Sequence, residues 1–169
     1  MMTHRLVWLW LFVIAVLGCM AALLGVFRLS RVESRLFQRY VLDPIPESVT
    51  EMMVDRAREV SGYGYTFRFK IDGADVMRII DSRPFQRVYN VKYERWGELH
   101  FEWSPSSWSG LAVYPSGERK PAWFTPELWR DPDAYAYEER GKQLTTCVLL
   151  YNRQAGEAYF LAFKGDYTP

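Results

Sequence analysis

The sequence predicts an α+β protein: an N-terminal transmembrane helix followed by a small, mainly antiparallel sheet domain with one or two short helices. Three observations carry this. Leu6–Phe27 is an apolar run of 22 residues with no charged side chain. Several later segments alternate apolar and polar residues with a period of two, the mark of half-buried strands. Those segments follow one another across short turn signals, which favours antiparallel neighbours over crossover connections.

A helix crossing a hydrocarbon core needs roughly 20 residues at about 1.5 Å rise each, so Leu6–Phe27 is long enough. A cleaved signal peptide would carry a shorter apolar region ending at a small-residue site. Val16-Leu17-Gly18-Cys19 has the form of a lipobox, which makes Cys19 a candidate for lipidation. The residues after it (Met-Ala-Ala-Leu-Leu-Gly-Val-Phe) are apolar where a lipoprotein carries a polar tether. Length therefore favours a retained single-pass signal-anchor, with Cys19 as a small apolar residue within it.

Arg28, Arg31, Arg35 and Arg39 follow the run, whereas only His4 and Arg5 precede it. Counting flanking Arg and Lys puts the C-terminal side in the cytoplasm. A short tail leading into a first apolar helix favours export instead, and the balance falls slightly to a soluble domain outside the cytoplasm. Continued as a helix, residues 28–40 carry the four arginines in one stripe beside Leu29, Val32, Leu36 and Tyr40. Such a stripe either meets lipid phosphates at the membrane surface or is the solvated flank of a stop-transfer segment.

Residues 1–40 thus read as an anchor helix with an Arg-rich extension, residues 41–47 as a joint, and residues 48–169 as the soluble domain. Asp43-Pro44-Ile45-Pro46 cannot continue a helix, because each proline lacks an N–H and restricts the residue before it. Ser48–Val60 fits helix or strand. Tyr65, Phe67, Phe69 and Ile71 alternate with Thr66, Arg68 and Lys70 as a strand. Asp72 stands as an N-cap, with Asp75 three residues on, before a short helix burying Val76, Met77, Ile79 and Ile80. Ser82-Arg83-Pro84 ends it.

Gly97–Trp103 alternates again, with Leu99, Phe101 and Trp103 opposite Glu98, His100 and Glu102. Leu111–Tyr114 and Lys120–Phe124 flank the turn signal Pro115-Ser116-Gly117-Glu118. Thr125-Pro126-Glu127 caps a helical turn with proline at its first position. Thr145–Tyr151 and Ala158–Lys164 surround Asn152–Glu157 as a hairpin containing Gly156.

Charge and cysteine content exclude several function classes. Residues 1–40 hold five arginines and one glutamate, so in a chain of net +1 the remaining 129 residues carry −3. That lacks the clustered cations a nucleic-acid binder needs. Cys147 is the domain's one thiol, in the apolar stretch TTCVLLY, which excludes a disulfide framework and a cysteine zinc site. Gly62-Tyr63-Gly64 lacks the rest of a dinucleotide fingerprint, and no nucleophile elbow or HExxH is present. No cofactor is implied.

Two constellations remain as candidate sites. Glu98, His100 and Glu102, spaced i, i+2, i+4 on a strand, point to one face. Two carboxylates and an imidazole there suit a divalent metal or general acid–base work; an ordinary solvated face looks the same. The second is the aromatic density from Phe85 to Tyr137. Trp108 (in Ser-Pro-Ser-Ser-Trp-Ser) and Trp123 and Trp129 (near Pro121 and Pro126) lie in loop-like sequence, where exposed rings would bind sugars, proline-rich peptides or a membrane interface. The competing reading is that large rings fill a small core.

The expected function is a membrane-anchored, non-catalytic binding or scaffolding module at the cell envelope. Its partners are the lipid bilayer and a protein or envelope polymer, not nucleic acid. The rival classes are an envelope hydrolase or metal-dependent enzyme using Glu98, His100 and Glu102, and a cytoplasmic-face membrane regulator acting through the arginine stripe.

Overall fold

A computed structural model of the chain describes Val16 and residues 31–59, 62–93, 98–104, 107–112, 121–140 and 144–165. The chain divides into two compact units, Met1–Leu36 and Phe37–Pro169. Apart from Val16, Leu6–Phe27 lies outside the described residues, as does Arg28. Among the described residues no helix is long and apolar enough to cross a membrane. Residues 31–40 are helical (α1), and Arg31, Val32, Arg35 and Arg39 are exposed on it.

The described fold is a mainly antiparallel sheet protein with two helices. A six-stranded sheet has the order β1-β2-β9-β8-β7-β3, and a three-stranded sheet the order β4-β5-β6. The larger sheet comprises β1 (Thr50–Glu59), β2 (Gly62–Lys70), β3 (Gln86–Arg87), β7 (Asp133–Arg140), β8 (Leu144–Asn152) and β9 (Glu157–Gly165). The smaller comprises β4 (Tyr89–Tyr93), β5 (Glu98–Ser104) and β6 (Ser107–Ala112). Every pairing is antiparallel.

Strand alternation assigns each side chain of the large sheet to one of two faces. On one face lie Phe67 and Phe69 of β2, Phe160 of β9 and Tyr137 of β8's neighbour β7. Phe37 at the end of α1 meets Phe67 and Phe69 edge-on, at ring separations of 6.2 and 5.0 Å. Helix α2 (Gly73–Asp81) starts over the same face, where a Cβ on Gly73 would lie 3.6 Å from the Tyr151 hydroxyl. Arg83, just past α2, ties the segment together by donating to the Tyr40 carbonyl and, at 3.2 Å, to the Tyr137 hydroxyl. That satisfies one of the carbonyls that the end of α1 leaves without an intrahelical donor.

The opposite face carries Ala134, Ala136, Val148, Leu150, Tyr159, Leu161 and Phe163, which form one core with Val88, Leu99, Phe101 and Phe124. The small sheet and the 121–129 loop thus cover this side. Each buried Phe or Leu contributes about 1.5–3 kcal/mol relative to exposure, so this double-sided burial is the main stabilising term.

Several expectations agree with these elements. The alternation at 65–71 falls on β2, which ends at Lys70, and the C-terminal hairpin is β8–β9, turning through Gly156 at φ +60. A single 3-10 turn, η1 (Pro126–Leu128), has proline at its start. Of Ser48–Val60, open between helix and strand, Thr50–Glu59 is β1, because β2 pairs with it antiparallel, regularly from Met53 onward.

Others are corrected. Met77 is 49% exposed; the buried stripe of α2 is Val76, Ile79 and Ile80. Asp72 occupies the N-cap position, but its side chain makes no cap bond; its carbonyl receives the Asp75 and Val76 amides instead. Pro121–Phe124, on the far side of the turn signal, is itself a turn closed by Phe124 N–H donating to the Pro121 carbonyl at 3.0 Å. Trp108 lies in strand β6, not in a loop, because residues 107–112 pair with β5.

Candidate functional site

His100 and Glu102 stand two residues apart on β5, so strand alternation gives them one face. The solvated-face expectation fails at Glu102, which is buried. Its carboxylate accepts a 2.7 Å hydrogen bond from Asn90 Nδ2. The cause is a bulge: the β4–β5 register shifts between Tyr89 and Lys92, and Asn90 sits there at φ +50. Asparagine tolerates that left-handed backbone better than most residues, and the bulge re-aims its amide. Half-buried His100 has its backbone partner in Lys92, and Trp108 pairs with Glu102 across β5–β6. The Glu98 and Trp108 side chains lie outside the described residues. Among the described residues no three His, Cys, Asp or Glu side chains stand close enough to hold a metal ion.

Trp123 and Trp129, read either as exposed binding rings or as core fillers, are partly buried and pack on the core. The reason is Tyr159, a strand residue 1% exposed. Its ring stacks on Trp129 at 4.5 Å and 28°, and on Trp123 at 6.5 Å and 19°. Its hydroxyl donates to the Trp123 carbonyl at 2.7 Å and accepts from the Thr125 N–H at 3.1 Å. One buried phenol thereby fixes the whole 123–129 segment to β9. Phe124 completes the cluster, 5.1 Å from the Tyr159 ring and 5.5 Å from Tyr93.

The fixed Trp129 borders three clefts. One, of about 380 Å³, is lined by apolar groups including Val91, Tyr93, Leu99, Pro126 and Leu150. A second, of about 410 Å³, runs along Arg87–Lys92 and beneath Asp131 and Pro132. The third and largest, about 730 Å³, opens between Trp129–Asp133, Arg87 and the β8–β9 turn, over Tyr135 and Tyr151. Asp133 and Tyr151 are direct partners on β7 and β8, and Arg87 of β3 is opposite Tyr135. The ladder therefore places these side chains together.

Charge is concentrated in that largest cleft. Asp133, 19% exposed, accepts from Arg153 at 2.8 Å and stands 3.7 Å from Arg87. Arg153 projects from a turn in which the Asn152 carboxamide oxygen accepts the Gln154 and Ala155 amides, at 3.1 and 3.2 Å. That local bond competes with strand continuation and shapes the turn. The adjacent Asp131 has a left-handed backbone, φ +50.

Cys147 is buried mid-strand, and burial pushes its thiol above the ordinary value. Its cross-strand partner Tyr137 is likewise pushed up, chiefly by burial. A thiol held protonated is a poor nucleophile, which agrees with a structural role.

Sequence reasoning singled out Trp129 but not the residues that make its surroundings. Tyr159 read as one of several hairpin aromatics, and Arg87, Asp133 and Arg153 are scattered over 67 positions. Only the pairing of β3, β7 and β8 unites them. Comparison with family models, with curated proteins and with solved structures gives no match for this chain.

Proposed function

We propose that the protein is a membrane-anchored binding module whose ligand site surrounds Trp129. The observation that carries this is the convergence of three clefts on Trp129, a residue whose indole is held by its stack on Tyr159. An aromatic wall that is already ordered loses little entropy on binding, which favours recognition. Clefts with a few converging polar groups are the common form of small-ligand sites. Leu6–Phe27 supports anchoring by its length and lack of charge, and places the module close to a bilayer. A partner at the cell envelope, protein or polymer, follows from that placement and the slight balance toward export.

Photo-crosslinking in membranes tests this. A photoreactive residue replaces Leu128, whose side chain is 73% exposed at the cleft rim, or the remote, exposed Met77 of α2 as a control. A discrete adduct at 128, absent at 77 and lost on Trp129→Ala, is the expected result. No adduct at 128, or equal labelling at both positions, overturns the reading.

A further inference from the structure

The composition of the largest cleft selects among ligands. Three arginines (Arg87, Arg130 and Arg153) and two aspartates (Asp131 and Asp133) line it, together with the aromatic residues Trp129, Tyr135 and Tyr151. The five charges leave the cleft at +1, which a monoanion neutralises and a dianion exceeds. The guanidinium forks match the two oxygens of a carboxylate. The Arg87–Asp133 approach of 3.7 Å is too long for a good hydrogen bond, so Asp133 leaves the Arg87 donors available to an incoming anion.

The aspartates carry the more specific information. A bare anion gains nothing from two carboxylates in its site and is repelled by them. A ligand rich in hydroxyls gains acceptors from the same two groups. Asn152 and Gln154 at the cleft edge add amide donors and acceptors. Aromatic lining residues, planar polar side chains of both hydrogen-bonding kinds and a net positive charge together fit one chemistry, a ring bearing several hydroxyls and one carboxylate. The volume, about 730 Å³, lies inside the usual range of roughly 300–1,000 Å³ for small-ligand sites.

We propose that this cleft binds an acidic sugar: a hexuronate residue with its carboxylate on Arg87, Arg130 and Arg153, hydroxyls on Asp131 and Asp133, and a ring face on Trp129. This rests on the binding-module reading and names its ligand class.

Isothermal titration calorimetry on the full chain in detergent provides the test. The probes are glucuronate and galacturonate trimers, the neutral glucose trimer, acetate and inorganic phosphate. At least one uronate trimer is expected to bind at least tenfold more tightly than the glucose trimer, acetate or phosphate. Arg87→Gln and Arg153→Gln, both at exposed positions, are each expected to weaken that binding by tenfold or more while leaving the circular dichroism spectrum unchanged. Lysine at either position should restore binding in part, since charge returns without the fork. Equal binding of acidic and neutral trimers overturns the acidic-sugar assignment but leaves the binding module standing, as does preferential binding of phosphate. Failure of both uronates to bind also overturns it, and the crosslinking at position 128 then judges the broader reading separately.

Discussion

The indole of Trp129 stacks on the ring of Tyr159 with 4.5 Å between centroids, while the Tyr159 hydroxyl holds the backbone of the same loop at Trp123 and Thr125. A strand residue thus fixes both the side chain and the main chain of the loop that forms the clefts. Ring and hydroxyl act on different parts of the loop, so their contributions are separable by mutation.

Tyr159→Phe keeps the stack and removes the hydroxyl, leaving the part-buried Trp123 carbonyl and Thr125 amide without that partner. An unsatisfied buried group costs about 1–3 kcal/mol, so the variant is expected to lose stability in that range. Tyr159→Ala also removes the ring and should cost about 3–5 kcal/mol. Urea unfolding monitored by tryptophan fluorescence measures both, and equal losses in the two variants would contradict a separate role for the hydroxyl.

Gly64 marks a close approach within the large sheet. A Cβ there would run into the ring of Phe163, its direct partner on β9. Because Phe163 belongs to the central core, the ring has little room to yield. Gly64→Ala should destabilise by about 1–3 kcal/mol, the usual cost of overpacking. Pairing it with Phe163→Leu should recover part of that loss, and thermal melts of the single and double variants provide the comparison.

Asp75 gives a pH dependence of known sign. Hydrogen bonds from the Ser48 hydroxyl, at 2.6 Å, and from Arg78, at 2.7 Å, hold its carboxyl below the ordinary value. A depressed folded pKa means stabilisation that is fully present above the unfolded value of about 3.9 and lost as pH falls through the folded one. Asp75→Asn should therefore be less stable than the parent at pH 7, with the gap closing below about pH 4. Urea midpoints between pH 3 and pH 7 would show this convergence; a gap independent of pH would rule it out.

Membrane topology is the first property to measure in cells. A compartment-sensitive reporter pair fused after Pro169 is expected to report the outer side. An inside result would turn the exposed Arg31, Arg35 and Arg39 of α1 toward lipid phosphates and move the search for a partner to the cytoplasm.

Local pattern was a good guide where one interaction dominates. The β8–β9 hairpin was legible because two apolar strands flank a short turn with Gly156 at positive φ. Helix α2 was legible from its 3.6-residue stripe, although Met77 shows that periodicity outlines a face more broadly than the neighbouring elements cover it. β7 was obscured. The strand form of Asp133–Arg140 depends on its ladder with β8.

The candidate site was less legible, for a physical reason. Glu102 alternates as a solvent-facing residue should, yet a bulge in the neighbouring strand brings Asn90 over it. Trp129 stands in loop-like sequence, yet a tyrosine thirty positions later locks it in place. By itself the sequence determined the apolar 22-residue run, the charge difference between the two parts, the alternating strands and the α+β class, since each depends on composition or on neighbours a few residues apart. Tertiary structure alone decided strand order, the burial of Glu102, the locking of Trp129 and the meeting of Arg87, Asp133 and Arg153. Those depend on contacts between distant segments, whose partners and registers no local period encodes.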